Sequence, residues 1–172
     1  MRKWPEVKMR GIIWHWTAGT YTPSALDLSH YHFVIDGQGH YHDGVAIELN
    51  ANPIRPGYAA HTLHCNTGFI GVSCASMAGA VENSTNGNFP LRERQVDTLI
   101  TLSAALCQFY DISPSEKTTL SHAEVQNNLG IRQRGKWDIA VFPFNPSFNT
   151  AKKCGDYIRA EVKRAIAVHS GV

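Results

Sequence analysis

Residues 11–16, Gly-Ile-Ile-Trp-His-Trp, constrain this chain more than any other stretch. The run is apolar and rich in β-formers, which predicts a buried strand. Thr17-Ala18-Gly19 ends it. His15 is the one polar group inside that strand. A buried polar side chain needs a partner, so His15 is either a hydrogen-bonded core histidine or a ligand.

Two later stretches offer chemistry of the right kind. Leu120-Ser121-His122-Ala123-Glu124 carries a histidine, and Arg134-Gly135-Lys136-Trp137-Asp138 carries a cation and a carboxylate two residues apart. In an extended segment, side chains two apart point the same way, so Lys136 and Asp138 face one site and Trp137 turns away. Imidazole and carboxylate both suit zinc, and a nearby ammonium stabilises an oxyanion formed there. His122 and Asp138 are only two ligands, whereas a catalytic zinc usually takes three and keeps a fourth position for water.

The chain has 172 residues, enough for one domain with a sizeable core. Hydrophobic residues make up 43% and charged residues 17%, a globular composition and not a disordered one. A net charge of +2 and a pI near 8.4 are too mild to argue for nucleic acid, though they permit attraction to an anionic surface. Cys65, Cys74, Cys107 and Cys154 form no clustered framework and read as thiols, the last two on apolar helical stripes. No stretch approaches transmembrane length, so no stable membrane insertion is expected. Arg2 and Lys3 could open a signal peptide, but Trp4-Pro5-Glu6 follows and Ile12-Ile13-Trp14 is too short for its apolar region. Synthesis in a cytoplasm is the expectation.

Along the chain, Pro23-Ser24 marks a helix start. His30 to Ile35 reads as a strand, Asp36-Gly37-Gln38-Gly39 as a turn and His40 to Asp43 as the return strand. Alternation puts Tyr31, Phe33 and Ile35 on one face and His30, His32 and Val34 on the other, with the histidines as strand-surface groups rather than ligands. His61, His64 and Cys65 are too cramped for a structural zinc site. The Gly/Ser/Asn-rich loop 75–88 is expected to flank the cleft. Val96, Leu99, Ile100, Ser103, Leu106, Cys107 and Tyr110 predict an amphipathic helix over about 91–111. Cys154, Tyr157, Ile158, Val162, Ala165 and Ile166 predict another over about 150–167, with Lys152, Lys153, Arg159, Lys163 and Arg164 mostly on a solvated outer face.

The string Ile12 to Gly19 resembles the "hydrophobic, His, His, Thr-Ala-Gly" signature of type-2 N-acetylmuramoyl-L-alanine amidases. Trp16 stands where many members have a second, non-ligating histidine. Tyr31-His32-Phe33 resembles the family's Gly-Tyr-His-Phe strand. Ala59-Ala60-His61-Thr62, with Asn66 and the strand Ile70-Gly71-Val72, resembles its Ala-His-Ala … Asn … Ile-Gly-Ile segment. Leu120-Ser121-His122 resembles the stretch bearing the second histidine ligand, and Lys136-Trp137-Asp138 the terminal Lys-x-Asp. The interval between these two is longer than is usual in the family.

The resemblance spans about residues 11–168 and implies one zinc ion held by His15, His122 and Asp138. It implies catalytic roles for Tyr31 and Lys136, and a substrate groove lined by His61 and Thr17. Some members carry a catalytic glutamate directly after the Ile-Gly-Ile strand; this chain has Ser73 there, which leaves Glu48, in Ile47-Glu48-Leu49, a minor alternative base. The implied fold is α/β, one amidase domain over 1–172 with a core of about 11–168. A central mixed β-sheet is flanked by helices, with a zinc-containing groove on one face and no separate wall-binding domain. The implied activity is hydrolysis of the amide between the lactyl group of N-acetylmuramic acid and L-alanine in peptidoglycan. A monomeric phage endolysin, reaching the wall from the host cytoplasm after membrane permeabilisation, fits these features. A non-catalytic peptidoglycan-binding module and an intracellular muropeptide-recycling amidase are the other open readings.

Overall fold

The strand expected at the start of the chain lies at the heart of the sheet. In the computed structural model, which describes residues 4–169, Gly11–Trp16 forms β1, with every residue buried. Four other strands complete a sheet of order β3-β2-β4-β1-β5: β2 (Phe33–Ile35), β3 (Tyr41–Asp43), β4 (Phe69–Cys74) and β5 (Thr119–Ser121). β1 runs parallel to β4 and β5, β2 runs parallel to β4, and only the edge strand β3 is antiparallel. The sheet is therefore mixed, as expected. A parallel strand needs cover on both faces, which is why β1 is apolar almost throughout.

The two faces of β1 are covered differently. Ile12, Trp14 and Trp16 point into the larger core, beneath helices α2 (Glu93–Tyr110) and α4 (Ala151–His169). Val96, Leu99 and Leu106 from α2 and Cys154, Ile158 and Val162 from α4 fill that core. The polar end of Trp14 is satisfied there, its Nε1–H donating to Ser103 Oγ at 3.0 Å. Ile13 faces a smaller cluster with Cys65, Phe69, Leu120 and Val125. His15, two residues on, shares that second face.

Three expectations need correction. The first hairpin strand is shorter than predicted, because His30 ends helix α1 (Ala25–His30) and Tyr31 is its C-cap, its N–H donating to Asp27 O. The helix itself starts as expected, at Ser24, whose hydroxyl and Asp27 form a reciprocal capping box. Strict alternation thus fails at Tyr31, which turns toward His15 while Phe33 and Ile35 enter the core with α2. Second, the interval between His122 and Asp138, for which no element was predicted, holds a 3-10 turn (His122–Glu124) that leads into helix α3 (Val125–Leu129). Third, Arg159 is not solvated. It is 5% exposed and paired with buried Glu124 at 2.7 Å, because the Glu124 carboxylate and the Thr119 carbonyl supply its acceptors. The other basic groups of α4 keep to its outer side, where Lys152 pairs with Asp156. Arg2 and Lys3 lie outside the described residues. Among the described residues, no helix is long and apolar enough to cross a membrane.

Candidate metal centre

Register brings two distant histidines together. Trp14 on β1 lies opposite Ser121 on β5. His15 and His122 each follow by one residue, at the C-terminal ends of adjacent parallel strands, where open α/β sheets commonly place ligand sites. Asp138 joins them after α3 and the following loop; Ala123 N–H donates to the Asp138 carbonyl at 2.6 Å and ties the loop back to the His122 turn. His15, His122 and Asp138 are all buried, with one ligand atom from each within 4.8 Å of the others. His15 Nδ1 lies 3.1 Å from His122 Nδ1 and 3.2 Å from Asp138 Oδ2, and His122 Nδ1 lies 3.6 Å from Asp138 Oδ1.

The outer hydrogen bonds decide where the histidine protons sit. His61 Nε2 faces the Phe69 carbonyl at 3.1 Å, and a carbonyl only accepts, so the His61 proton is on Nε2 and its Nδ1 is bare. That Nδ1 lies 3.2 Å from His15 Nε2, with Thr62 Oγ1 also in reach of both rings. The His15 proton is then best placed on Nε2, which leaves Nδ1 bare. His122 Nε2 faces Gln133 Oε1 at 2.8 Å, so its Nδ1 is bare as well. Burial drives the His15 and His61 rings toward neutrality: it lowers the His15 pKa to about 4, although Asp138 pulls the other way, and it lowers His61 well below the usual value. Two bare imidazole nitrogens and a carboxylate oxygen therefore converge with no proton among them. Such a donor set fits a divalent cation of the zinc type, with the outer nitrogen of His15 bonded to His61 and that of His122 to Gln133.

The centre opens into a groove of about 1190 Å³. Trp16 and Thr17 from the end of β1, Tyr31, the 58–67 loop and the 129–138 segment wall it. No residue of loop 75–88 lines it; Met77 enters the main core, and the Ser76 amide holds Thr17 from behind the wall. Lys136 is exposed on the groove wall and close enough to His15 to depress its pKa, while Trp137 turns to pack edge-on against Trp16 at 4.6 Å. Lys136 and Asp138 reach one groove as the spacing predicts, but Trp137 does not turn to the other side: it lines the same groove beside Trp16. Tyr31 sits with its ring 5.1 Å from His15. Burial, with the Asp138 charge adding to it, pushes its phenol pKa upward although Ser73 pulls the other way, so it is a donor and not a base at neutral pH.

The remaining candidates fall as follows. His61 lines the groove but is 7% exposed, and both ring nitrogens are occupied inside the protein. Its ring lies against Gly71, where a Cβ would come within 2.6 Å of His61 Cγ. Thr17 lines the groove, and its Oγ1 accepts from the Gly19 and Ser76 amides. Glu48 lies in a 3-10 turn outside the groove lining, near enough to Tyr110 to raise that phenol after burial has done so. His30 contacts the Ala60 carbonyl, His42 contacts Asp36, and His32 is buried against Asn50; no group of metal-ligand residues other than His15, His122 and Asp138 occurs among the described residues. Gln133 is the participant that the sequence did not signal.

A buried His-His-Asp cluster that could hold a metal ion, open to a groove at the strand ends of a mixed sheet, has the design of a metal-assisted hydrolase. The chain belongs to the N-acetylmuramoyl-L-alanine amidase family, which it matches over residues 5–139. No curated protein sequence matches it significantly. Its fold is similar to that of the hydrolase AmiA of Staphylococcus aureus, solved with its ligand, at 15% identity and a TM-score of 0.61, covering 95% of this chain and 76% of that one. It is also similar to the N-acetylmuramoyl-L-alanine amidase LysC of Clostridium intestinale, at 17% identity and a TM-score of 0.53, covering 91% and 87%. The endolysin amidase LysCS of the same organism gives 17% identity and a TM-score of 0.53 over 91% and 85%.

Proposed function

We propose that this protein is a zinc-dependent amidase that hydrolyses the bond between the lactyl group of N-acetylmuramic acid and L-alanine in bacterial peptidoglycan. The observation that carries this reading is the convergence of two bare Nδ1 atoms and the Asp138 carboxylate at the floor of an open groove. Zinc held by His15, His122 and Asp138 would keep a fourth position for water, lower its pKa toward ~7 and polarise the scissile carbonyl. The chain's own groups supply the rest. Tyr31 keeps its phenolic proton and donates it in a hydrogen bond toward the attacking oxygen or the developing oxyanion. Lys136 brings an ammonium to the same wall, where charge appears only as the carbonyl becomes tetrahedral. Collapse breaks the C–N bond as the proton lost by the attacking water passes to the departing nitrogen, and it leaves a lactyl carboxylate and the amino group of L-alanine. Trp16 and Trp137 give that part of the wall an apolar lining that displaces water.

An endolysin role, in which the protein meets the wall from the host cytoplasm after membrane permeabilisation, is part of the proposal. The likeness in fold to LysCS supports it. The reading as a non-catalytic binding module is disfavoured, because Asp138, Tyr31 and Lys136 all stand at the centre.

Purified sacculi digested with the protein should yield, by mass spectrometry, peptides with a free L-alanine amino terminus and glycans with a free lactyl carboxyl. A chelator should abolish the release and lower the melting temperature, since a metal bound only by the folded site adds to stability. His15→Ala should lose both zinc and activity. Cleavage at a different bond, or full turnover by His15→Ala with stoichiometric zinc, sinks the proposal.

A further inference from the structure

Gln133 is 8% exposed, and its side-chain oxygen, side-chain nitrogen and backbone N–H each have a partner. Its Nε2 donates to the Leu63 carbonyl at 2.9 Å, its Oε1 faces His122 Nε2 at 2.8 Å, and its backbone N–H donates to Gln126 Oε1 at 3.0 Å. The Leu63 carbonyl can only accept, so the amide NH2 must face it and the amide oxygen must face His122. That oxygen can only accept in turn, so His122 must carry its proton on Nε2. The Leu63 carbonyl therefore specifies the His122 tautomer through the Gln133 amide.

We propose that Gln133 is a positioning residue for the metal ligand His122: it holds the ring orientation and the Nε2–H tautomer that presents a bare Nδ1 to His15 and Asp138. The inference rests on the metal-centre reading above and adds a residue to it. The bond to Gln133 also polarises the imidazole and makes Nδ1 a better donor, as outer-shell acceptors do at histidine metal sites. A neutral amide does this without placing a second carboxylate beside Asp138. Leu63 links the arrangement to the groove, because its side chain lines the wall while its carbonyl orients Gln133.

The test uses the wild-type chain, Gln133→Leu, which removes the acceptor, and Gln133→Glu, which keeps an acceptor but loses the donor to Leu63. Nitrogen-detected NMR of the metal-free wild type should show the His122 proton on Nε2; a proton on Nδ1 overturns the proposal. Zinc titrated against a chromogenic chelator should bind Gln133→Leu about 10- to 100-fold more weakly, the range for losing an outer-shell partner, and Gln133→Glu within about threefold of wild type. Equal affinity in all three proteins overturns the proposal. So does an equal loss in both variants, because Gln133 would then serve only as a bridge between loops. If the wild type binds no zinc, the metal-centre reading fails, and the tautomer decides for Gln133: a shift toward Nδ1–H in Gln133→Leu supports it and an unchanged tautomer overturns it. Should Gln133→Leu not fold, the wild-type tautomer and the Gln133→Glu affinity decide.

Discussion

Tyr31 and Lys136 stand on opposite terms with the solvent, and their variants should behave differently. Lys136 is exposed, so Lys136→Met keeps the aliphatic stem and removes only the charge. It should raise the barrier by about 2 to 4 kcal/mol, the cost of deleting one oxyanion donor, with zinc content and melting temperature near wild type. A normal rate of wall digestion, or a failure traced to lost zinc, would remove Lys136 from the oxyanion. Tyr31 is held against His15, so Tyr31→Phe should retain zinc and substrate affinity while turnover falls about 10- to 1000-fold. Unchanged turnover would hand its role to another group. Both residues were named from the sequence, Lys136 from its spacing together with the Lys-x-Asp match and Tyr31 from a motif. Alternation alone misplaced Tyr31, because a helix cap, and not a strand, sets its direction. Gln133 was not legible at all: its partners at 63, 122 and 126 bear no periodic relation to it.

At the scale of elements, the joint between α4 and the His122 turn does more than fill space. Gly155 of α4 lies directly against the Glu124 carboxylate, where an added Cβ would collide. Glu124 cannot retreat, because Arg159, the Ser121 amide and the Ser121 hydroxyl all hold it. Helix propensity alone says that Gly155→Ala should stabilise α4, by up to roughly 1 kcal/mol. The collision reverses the sign: a loss of about 1 to 3 kcal/mol is expected in urea denaturation, the cost of overpacking a tight site. A gain in stability would show that the joint yields. The long helices were legible because their apolar stripes are long; α2 and α4 fall within about two residues of the predicted ends. α3 was missed because five residues are too few to show a period. The burial of Arg159 escaped because its partner Glu124 lies 35 positions away in the chain.

For the molecule as a whole, a buried histidine away from the metal centre sets an acid limit on stability. His32 accepts from the Gly71 amide at Nδ1 and donates from Nε2 to Asn50 Oδ1, joining β2, β4 and the loop between them. Burial lowers its pKa from 6.5 to about 4, with the Asn50 contact working against the shift. A depressed pKa means that the unfolded chain takes up the proton first. The contribution is complete above pH 6.5, declines as the pH falls toward 4 and is absent below it, a change on the order of 3 kcal/mol. Melting temperatures at pH 7 and pH 5 should show the drop in the wild type and a smaller one in His32→Gln. An equally steep fall in the variant would place the acid sensitivity elsewhere. The mixed sheet and the convergence of His15, His122 and Asp138 were legible because ordered motifs carried them; the shape of the groove wall was not, since it depends on loops without periodicity.

All four cysteines are buried as free thiols, and burial raises their pKa values, Cys65 to about 11 and Cys107 and Cys154 to about 12. Cys74, fully enclosed, is raised further still. Thiolate is the species that oxidants and disulfides attack, so at neutral pH almost none is on offer. The covalent structure of this chain should be the same in a glutathione-reduced interior and in aerated medium. A chain with such thiols needs no oxidoreductase to mature and carries no disulfide that a reductant can cut.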